Sequence, residues 1–406
     1  MLGPRLRLDP TYAPTIEGRT GMDFRLTSEQ RLIQESSRRM VERDIQPVLA
    51  AHDPDRPLPK EAMRQVLQVC AGQGLASARV PEAAGGAGLS LLTYGLMFEQ
   101  LPPVVAFAIV GQEATAARIA LESTPEQRER LLPDIIAARK IACTGSTEPD
   151  AGSDPRGIKT RARIDGESVL VDGCKMWITN ASICDVINIT ATLGQADGAS
   201  SRMVRIVVDR AESPFETTKT PCLGFCQGHL GEVRFAGCRV PRGNMLGRVG
   251  DAARVLTLTW LANRPLFGLM AVNMAQRALD AALKYAGDRS QFGRTIGSYQ
   301  LVQELLADIA AAVTTSRLVC YYALDAIDSG DRANGVSAMA KRHAIAACQR
   351  AISMAMEVHG SMGISRELGL EQLWRDCRML PIPDGTNQIL TLIEGRELTG
   401  ISAVRP

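Results

Sequence analysis

The last third of the chain sets the strongest constraint on its fold. From about residue 252 onward, "LFGLMAVNMAQRALDAALKYAGDRS", "YQLVQELLADIAAAVTTSRLVCYYALDAI" and "SAMAKRHAIAACQRAISMAMEVHG" repeat apolar residues every three or four positions. Helices this long and this apolar must pack on one another, as in a bundle. The stretch from 27 to about 140 carries the same period. "TSEQRLIQESSRRMVERDIQPV" opens with Thr27 as N-cap and Glu29 and Gln30 just inside. "KEAMRQVLQVCAGQGL" is ended by glycine, and "PEQRERLLPDIIAAR" has Pro at its first turn. Between about 141 and 245 the texture changes. "ARIDGESVLVDGCKMWITNASICDVINITATLG", "SRMVRIVVDR" and "GEVRFAGCRVP" are short β-branched runs broken by Asp-Gly or Gly turns, which reads as antiparallel β. The chain is therefore α+β: a helical domain over 22–140, a β domain over 141–250 and a helical bundle over 251–406.

Composition narrows the function classes. A 406-residue chain with 45% apolar and 22% charged residues can bury sizeable cores. Its net charge of +2 points to neither nucleic acid nor an anionic membrane, and no apolar run reads as a membrane span. Ten scattered cysteines and four dispersed histidines give no zinc site, so no metal is expected. Cysteines without a disulfide framework suggest a reducing compartment, and a cytoplasmic location. Residues 1–21, "MLGPRLRLDPTYAPTIEGRTG", lack the apolar core of a secretory signal, and Asp9 and Glu17 argue against a transit peptide. They read as a disordered extension. No G-x-G-x-x-G follows a strand, so no Rossmann site is claimed.

Four polar segments carry the chemistry: "STEPDAGSDPRG" from 146, "KMWITNAS" from 175, "DRSQFGRTIGSYQLVQELLADIA" from 288 and "PDGTNQI" from 383. In this order and spacing the chain resembles the acyl-CoA dehydrogenase family over nearly its whole length from Met22. That resemblance implies an N-terminal helical domain, a middle β domain and a C-terminal four-helix bundle. It implies a flavoprotein of lipid metabolism that binds FAD, assembles as a homotetramer and passes electrons to an electron-transfer flavoprotein. The reaction implied is oxidation of an acyl-CoA between Cα and Cβ. A base takes the α-proton while the β-hydrogen leaves as hydride to flavin N5.

The resemblance also assigns residues. Thr147 and Ser153 would contact the flavin, Ser153 near the phosphates. Trp177 would pack on the isoalloxazine, where residue type alone suggests a β-domain core tryptophan. Thr179 would hydrogen-bond to the ring. Arg289, Gln291 and Phe292 match a segment that reaches the adenine dinucleotide of a neighbouring subunit, with the arginine supplying paired donors to pyrophosphate. In "EVHGSMG", Glu357 replaces the family's glutamine and Ser361 its second glycine, while Gly360 keeps close backbone approach possible. A carboxylate at Glu357 does not suit a pyrophosphate neighbour. Thr386 and Gln388 would help hold the FAD.

"PDGTNQI" admits two readings. Pro-Asp-Gly is an ordinary turn. The family's base is a glutamate at the position of Asp384, so Asp384 is also the candidate base. A minority branch places its base on the helix around 261–264. Here that stretch is "LANR", in which Leu261 and Asn263 cannot serve and Arg264 matches the active-site arginine. Aspartate has roughly 1.5 Å less reach than glutamate. Two explanations fit: a ring or branched acyl group, wider at Cα, closes that gap, or the enzyme is a weak or altered member of the family. Three alternatives stay open: an enoyl-thioester reductase, a nitroalkane oxidase and a non-catalytic flavin- or acyl-thioester-binding protein. Nitroalkane oxidases use an aspartate but carry an arginine shortly after it, which "NQILTLIEG" lacks.

Overall fold

Thr27 starts the first helix by the chemistry its sequence carries. In the computed structural model, which describes residues 25–194 and 203–403, Thr27 Oγ1 accepts from Gln30 N at 3.1 Å and Gln30 Oε1 accepts from Thr27 N at 2.9 Å. This capping box opens α1 (Ser28–Met40). A π-helical turn leads into α2 (Gln46–Ala50), followed by α3 (Lys60–Gly72), α4 (Leu91–Phe98), α5 (Pro103–Glu122) and α6 (Pro125–Ile136). Thr124 and Gln127 form a second capping box ahead of α6. The extension expected over 1–21 lies outside the described residues.

The middle region folds as strands β1 (Ala142–Gly145), β2 (Arg161–Asp165), β3 (Ser168–Ile178), β4 (Val186–Leu193), β5 (Met203–Asp209), β6 (Glu216–Lys219), β7 (Gly231–Pro241) and β8 (Met245–Leu246). They join in the order β6-β7-β3-β2-β4-β5-β8, with β1 also on β4. The sheet is mixed, where the sequence suggested antiparallel pairing throughout. β1 and β2 both run parallel to β4, β1 along Val186–Ile189 and β2 along Thr192 and Leu193. Side-chain alternation encodes which face is buried and carries no information on strand direction. The chain thus leaves one edge of β4 after β1 and returns to the same edge at β2. The "STEPDAGSDPRG" segment is the excursion between them.

The C-terminal region is built on three long helices, α7 (Ala252–Asp288), α8 (Gln300–Asp328) and α9 (Asn334–His359), closed by α10 (Leu370–Met379) and α11 (Asn387–Thr399). A small hairpin, β9 (Ser290–Gln291) and β10 (Arg294–Thr295), separates α7 from α8. The two helical regions share one apolar core, in which Tyr94 and Phe98 of α4 meet Leu269 of α7 and Leu324 of α8. Gly95 permits the approach, since a Cβ there would fall 2.4 Å from Leu324 Cδ1. The sheet keeps its own core around Val171, Ile189, Ile206 and Val233. Two helices, Pro103–Glu122 and Arg254–Asp288, are in fact long and apolar enough to cross a membrane. Their most apolar windows are 89% and 78% buried inside the fold, which accounts for that composition without a membrane.

Candidate active site

The candidate residues fall on an apolar bundle, a sheet edge and one strained turn. Pro383–Gly385 forms the turn before α11, and Thr386 caps that helix by accepting from Ile389 N. Asp384 sits at φ 51°, in the left-handed region that aspartate tolerates better than most residues. The turn reading of this residue is thus correct, and the turn points its carboxylate at α7. Asn263 Nδ2 donates to Asp384 Oδ2 at 2.9 Å. No hydrogen bond to Oδ1 is present among the described residues, so that oxygen keeps its lone pairs for a ligand. Arg264 bonds the backbone: its Nε donates to Asp384 O at 3.2 Å and its Nη1 to Asn334 Oδ1 at 3.0 Å.

Two further buried cations stand near, which sequence reasoning missed. Lys341 of α9 is fully buried and donates to the carbonyls of Pro383 and Gly385. Burial pulls its pKa down to about 7, against the pull of the Asp384 carboxylate. Arg118 of α5 is also buried, and its Nε donates to Thr259 Oγ1 at 3.0 Å, one turn of α7 before Asn263. Burial, and then repulsion from Arg205, push Arg118 down to about 9. The only signal for either was a charge inside a markedly apolar helical run, and most such charges reach solvent.

The first two polar motifs meet at the sheet edge. Met176 N donates to Thr147 O at 3.0 Å, and Lys175 Nζ donates to Glu148 Oε1 at 2.6 Å in an almost fully buried pair. Glu148 also accepts from Lys159 N at 2.6 Å and Thr160 N at 3.0 Å, closing the base of the loop. Burial draws Lys175 down to about 8, and Glu148 opposes it. Thr147 is half-buried and Ser153 exposed on this loop. Trp177 breaks the register of β3 at φ 61° and leaves 52% of its surface exposed, so it is not a core residue of the sheet. Beyond it, Thr179 is half-buried against α5, where a Cβ on Gly111 would come 3.3 Å from Thr179 Cγ2.

The remaining residues are spread over the hairpin, the end of α9 and the start of α11. Arg289, Gln291 and Phe292 lie on the exposed β9–β10 hairpin, Phe292 95% exposed at φ 53°. Along α7 the hairpin lies roughly 37 Å from Arg264. Gly360 ends α9 at φ 57°, ψ −134°, a glycine conformation, with open space where a side chain would stand. Glu357 is exposed nearby. Gln388 lines a groove of about 440 Å³ between α9 and α11 with Arg342, His343 and Arg350. Thr386 is half-buried at the head of α11.

These groups fit a large polar aromatic cofactor. A half-exposed tryptophan, hydroxyls on a loop tied beside it, and an open glycine at a helix end are features that the folded interior leaves unused. Comparison with known proteins agrees. The N-terminal, middle and C-terminal domains of the acyl-CoA dehydrogenases match residues 27–139, 143–238 and 253–399 in turn. The chain belongs to the acyl-CoA dehydrogenase family. It is an oxidoreductase acting on acyl-CoA, and its cofactor is FAD. It is similar to the cyclohex-1-ene-1-carbonyl-CoA dehydrogenase of Geobacter metallireducens, with 32% identity over 378 residues, 92% of this chain and 98% of that protein. It is 27% identical over 387 residues to an acryloyl-CoA reductase (NADH) of Anaerotignum propionicum, covering 93% and 96% of the two chains. The butyryl-CoA dehydrogenase structure from Megasphaera elsdenii superimposes with a TM-score of 0.86 at 26% identity, over 93% of this chain and all of that one.

Proposed function

We propose that the protein dehydrogenates an acyl-CoA between Cα and Cβ, with Asp384 as the base that takes the α-proton. The observation that carries this reading is the state of the carboxylate. One oxygen is oriented by Asn263 and the other has no donor among the described residues, on a turn whose backbone Arg264 and Lys341 hold. Leu261 and Asn263 leave no carboxylate at the alternative position on α7. FAD, when bound, accepts the β-hydrogen as hydride. Asp384 accepts the α-proton through its free oxygen, so the Cα–H pair moves into the new double bond. Arg264 and Lys341 place positive charge beside the turn, where the developing negative charge of the thioester benefits. Thr147, Ser153, Trp177, Thr179, Gly360, Thr386 and Gln388 would hold the cofactor.

The substrate we propose is alicyclic or α-branched. The short aspartate leaves volume at Cα that a ring fills, and the Geobacter relative takes its name from a six-membered ring acyl group. A homotetramer suits the exposed hairpin, because Arg289, Gln291 and Phe292 are too far along α7 to serve the site of their own chain. An electron-transfer flavoprotein would be the acceptor, and a cytoplasmic location suits ten free thiols. The named activity of the Anaerotignum relative favours one second reading. Run in reverse, protonated Asp384 would donate to Cα of an enoyl-CoA.

Anaerobic mixing of the FAD-loaded enzyme with linear, branched and alicyclic acyl-CoAs tests the reading. Bleaching of the flavin by a saturated thioester is expected in wild type, and its loss by 10²–10⁴-fold, about the worth of a general base, in Asp384→Asn. Asparagine keeps the left-handed turn, so FAD should stay bound. Undiminished bleaching in Asp384→Asn would remove Asp384 from the chemistry.

A further inference from the structure

Three successive carbonyls, those of Pro383, Asp384 and Gly385, are all claimed by buried cations. Lys341 Nζ donates to Pro383 O and, at 2.6 Å, to Gly385 O. Arg264 Nε takes the carbonyl between them at 3.2 Å. One ammonium can bridge the carbonyls either side of a residue only where the chain turns sharply. Asp384 at φ 51° and Gly385 at φ 103° supply that turn. The two cations come from different helices, Arg264 from α7 and Lys341 from α9, and Asn334 at the start of α9 accepts from Arg264 at 3.0 Å. The turn is thus held from both walls of the bundle at once.

We propose that Lys341 is the positioning residue of the active-site aspartate: by gripping the backbone on both sides of residue 384, it sets how far the carboxylate reaches toward the substrate. The inference rests on the reading of Asp384 as the base. Lys341 is fully buried, and among the described residues no salt bridge pairs it with a carboxylate. Its ammonium otherwise faces the ring of Phe267, with the centroid 5.9 Å away. A buried, unpaired lysine is costly, and an apolar residue of similar volume would pack α9 at least as well. Folding alone therefore does not call for it. Fixing the turn does, because an aspartate has no spare length with which to absorb a displaced backbone. The lowered pKa of Lys341 accords with that cost of burial.

The test compares Lys341→Met with wild type as FAD-loaded enzyme. Single-turnover flavin reduction is measured per bound FAD, with a substrate and with the same substrate deuterated at Cα. Positioning predicts unchanged FAD content and substrate Kd within a few-fold. It predicts a loss of rate on the order of 100-fold, as for a displacement near 1 Å. It also predicts a larger α-deuterium isotope effect, because proton removal becomes the slower event. A purely structural lysine would lower FAD content and thermal stability while leaving the per-FAD rate and isotope effect unchanged, which would overturn the proposal. Should Lys341→Met fail to fold, Lys341→Gln, which still donates to one carbonyl, is read by the same criteria. Asp384→Asn in the same assay separates the two ideas. If it reduces flavin at the wild-type rate, the base assignment fails; if it is inactive while Lys341→Met is normal per FAD, only the clamp fails.

Discussion

Asn263 Nδ2 donates to Asp384 Oδ2 at 2.9 Å, while the next residue of the same helix, Arg264, holds the carbonyl of the same aspartate at 3.2 Å. Side chain and backbone of one residue are thus oriented from adjacent positions on α7. The amide selects which carboxylate oxygen is left free.

Replacing Asn263 by Leu should keep the apolar packing of α7 and release the carboxylate. A hydrogen bond to a charged group contributes about 1.5–3 kcal/mol, so kcat should fall roughly 10- to 100-fold with FAD retained. Stopped-flow flavin reduction at saturating acyl-CoA measures this. An unchanged rate would mean that the turn alone orients Asp384.

Asp384→Glu should change selectivity more than activity. The added methylene restores reach and takes up the volume that a ring needs. The ratio of kcat/KM for an alicyclic over a linear acyl-CoA should drop by about tenfold or more, since one methylene in a pocket accounts for roughly 1–3 kcal/mol. A wild type that already prefers the linear substrate, with the ratio unmoved in Asp384→Glu, would refute the size argument.

The assembly prediction falls on the hairpin. Phe292, 95% exposed on a two-residue turn with Gly293, is not part of a core among the described residues. Phe292→Ser should therefore leave the fold intact and lower the affinity for FAD, read by flavin release on dilution. Light scattering on wild type should give a tetramer. A wild-type monomer that binds FAD tightly would refute the placement of this hairpin on a neighbour's cofactor.

Stability should depend on pH through His229. Its Nε2 lies 2.8 Å from Leu58 O and must carry the hydrogen, so Nδ1 accepts from Ser182 Oγ at 2.8 Å. Both bonds suit the neutral ring, and burial pushes its pKa down from 6.5 to about 4. The folded pKa is the lower one, so the unfolded chain binds a proton that the folded chain does not between these values. The stabilisation is complete above about pH 6.5 and is lost as pH falls toward 4, on the order of 3 kcal/mol. Asp376, raised to about 6 by burial, works in the opposite sense over part of this range. A variant pair isolates the histidine: His229→Gln should be less stable than wild type at pH 7, with the gap in Tm closing by pH 4.5. A constant gap would assign the effect elsewhere.

What the sequence determined by itself was local. Thr27 and Gln30, and Thr124 and Gln127, carry their helix caps in residues three apart. The apolar period of the last third requires a bundle, and Pro-Asp-Gly requires a turn, because each depends on neighbours along the chain. The tertiary structure decided the rest. The parallel course of β1 and β2 on β4 follows from how distant strands meet, which alternation does not encode. Trp177 has the composition of a core residue and lies half-exposed because a register shift in β3 turns it outward. Lys341 finds its carbonyl partners 42 and 44 residues away, and Asn263 reaches Asp384 across 121. A buried polar group is defined by what packs around it, so its role emerges only when α7, α9 and the turn before α11 come together.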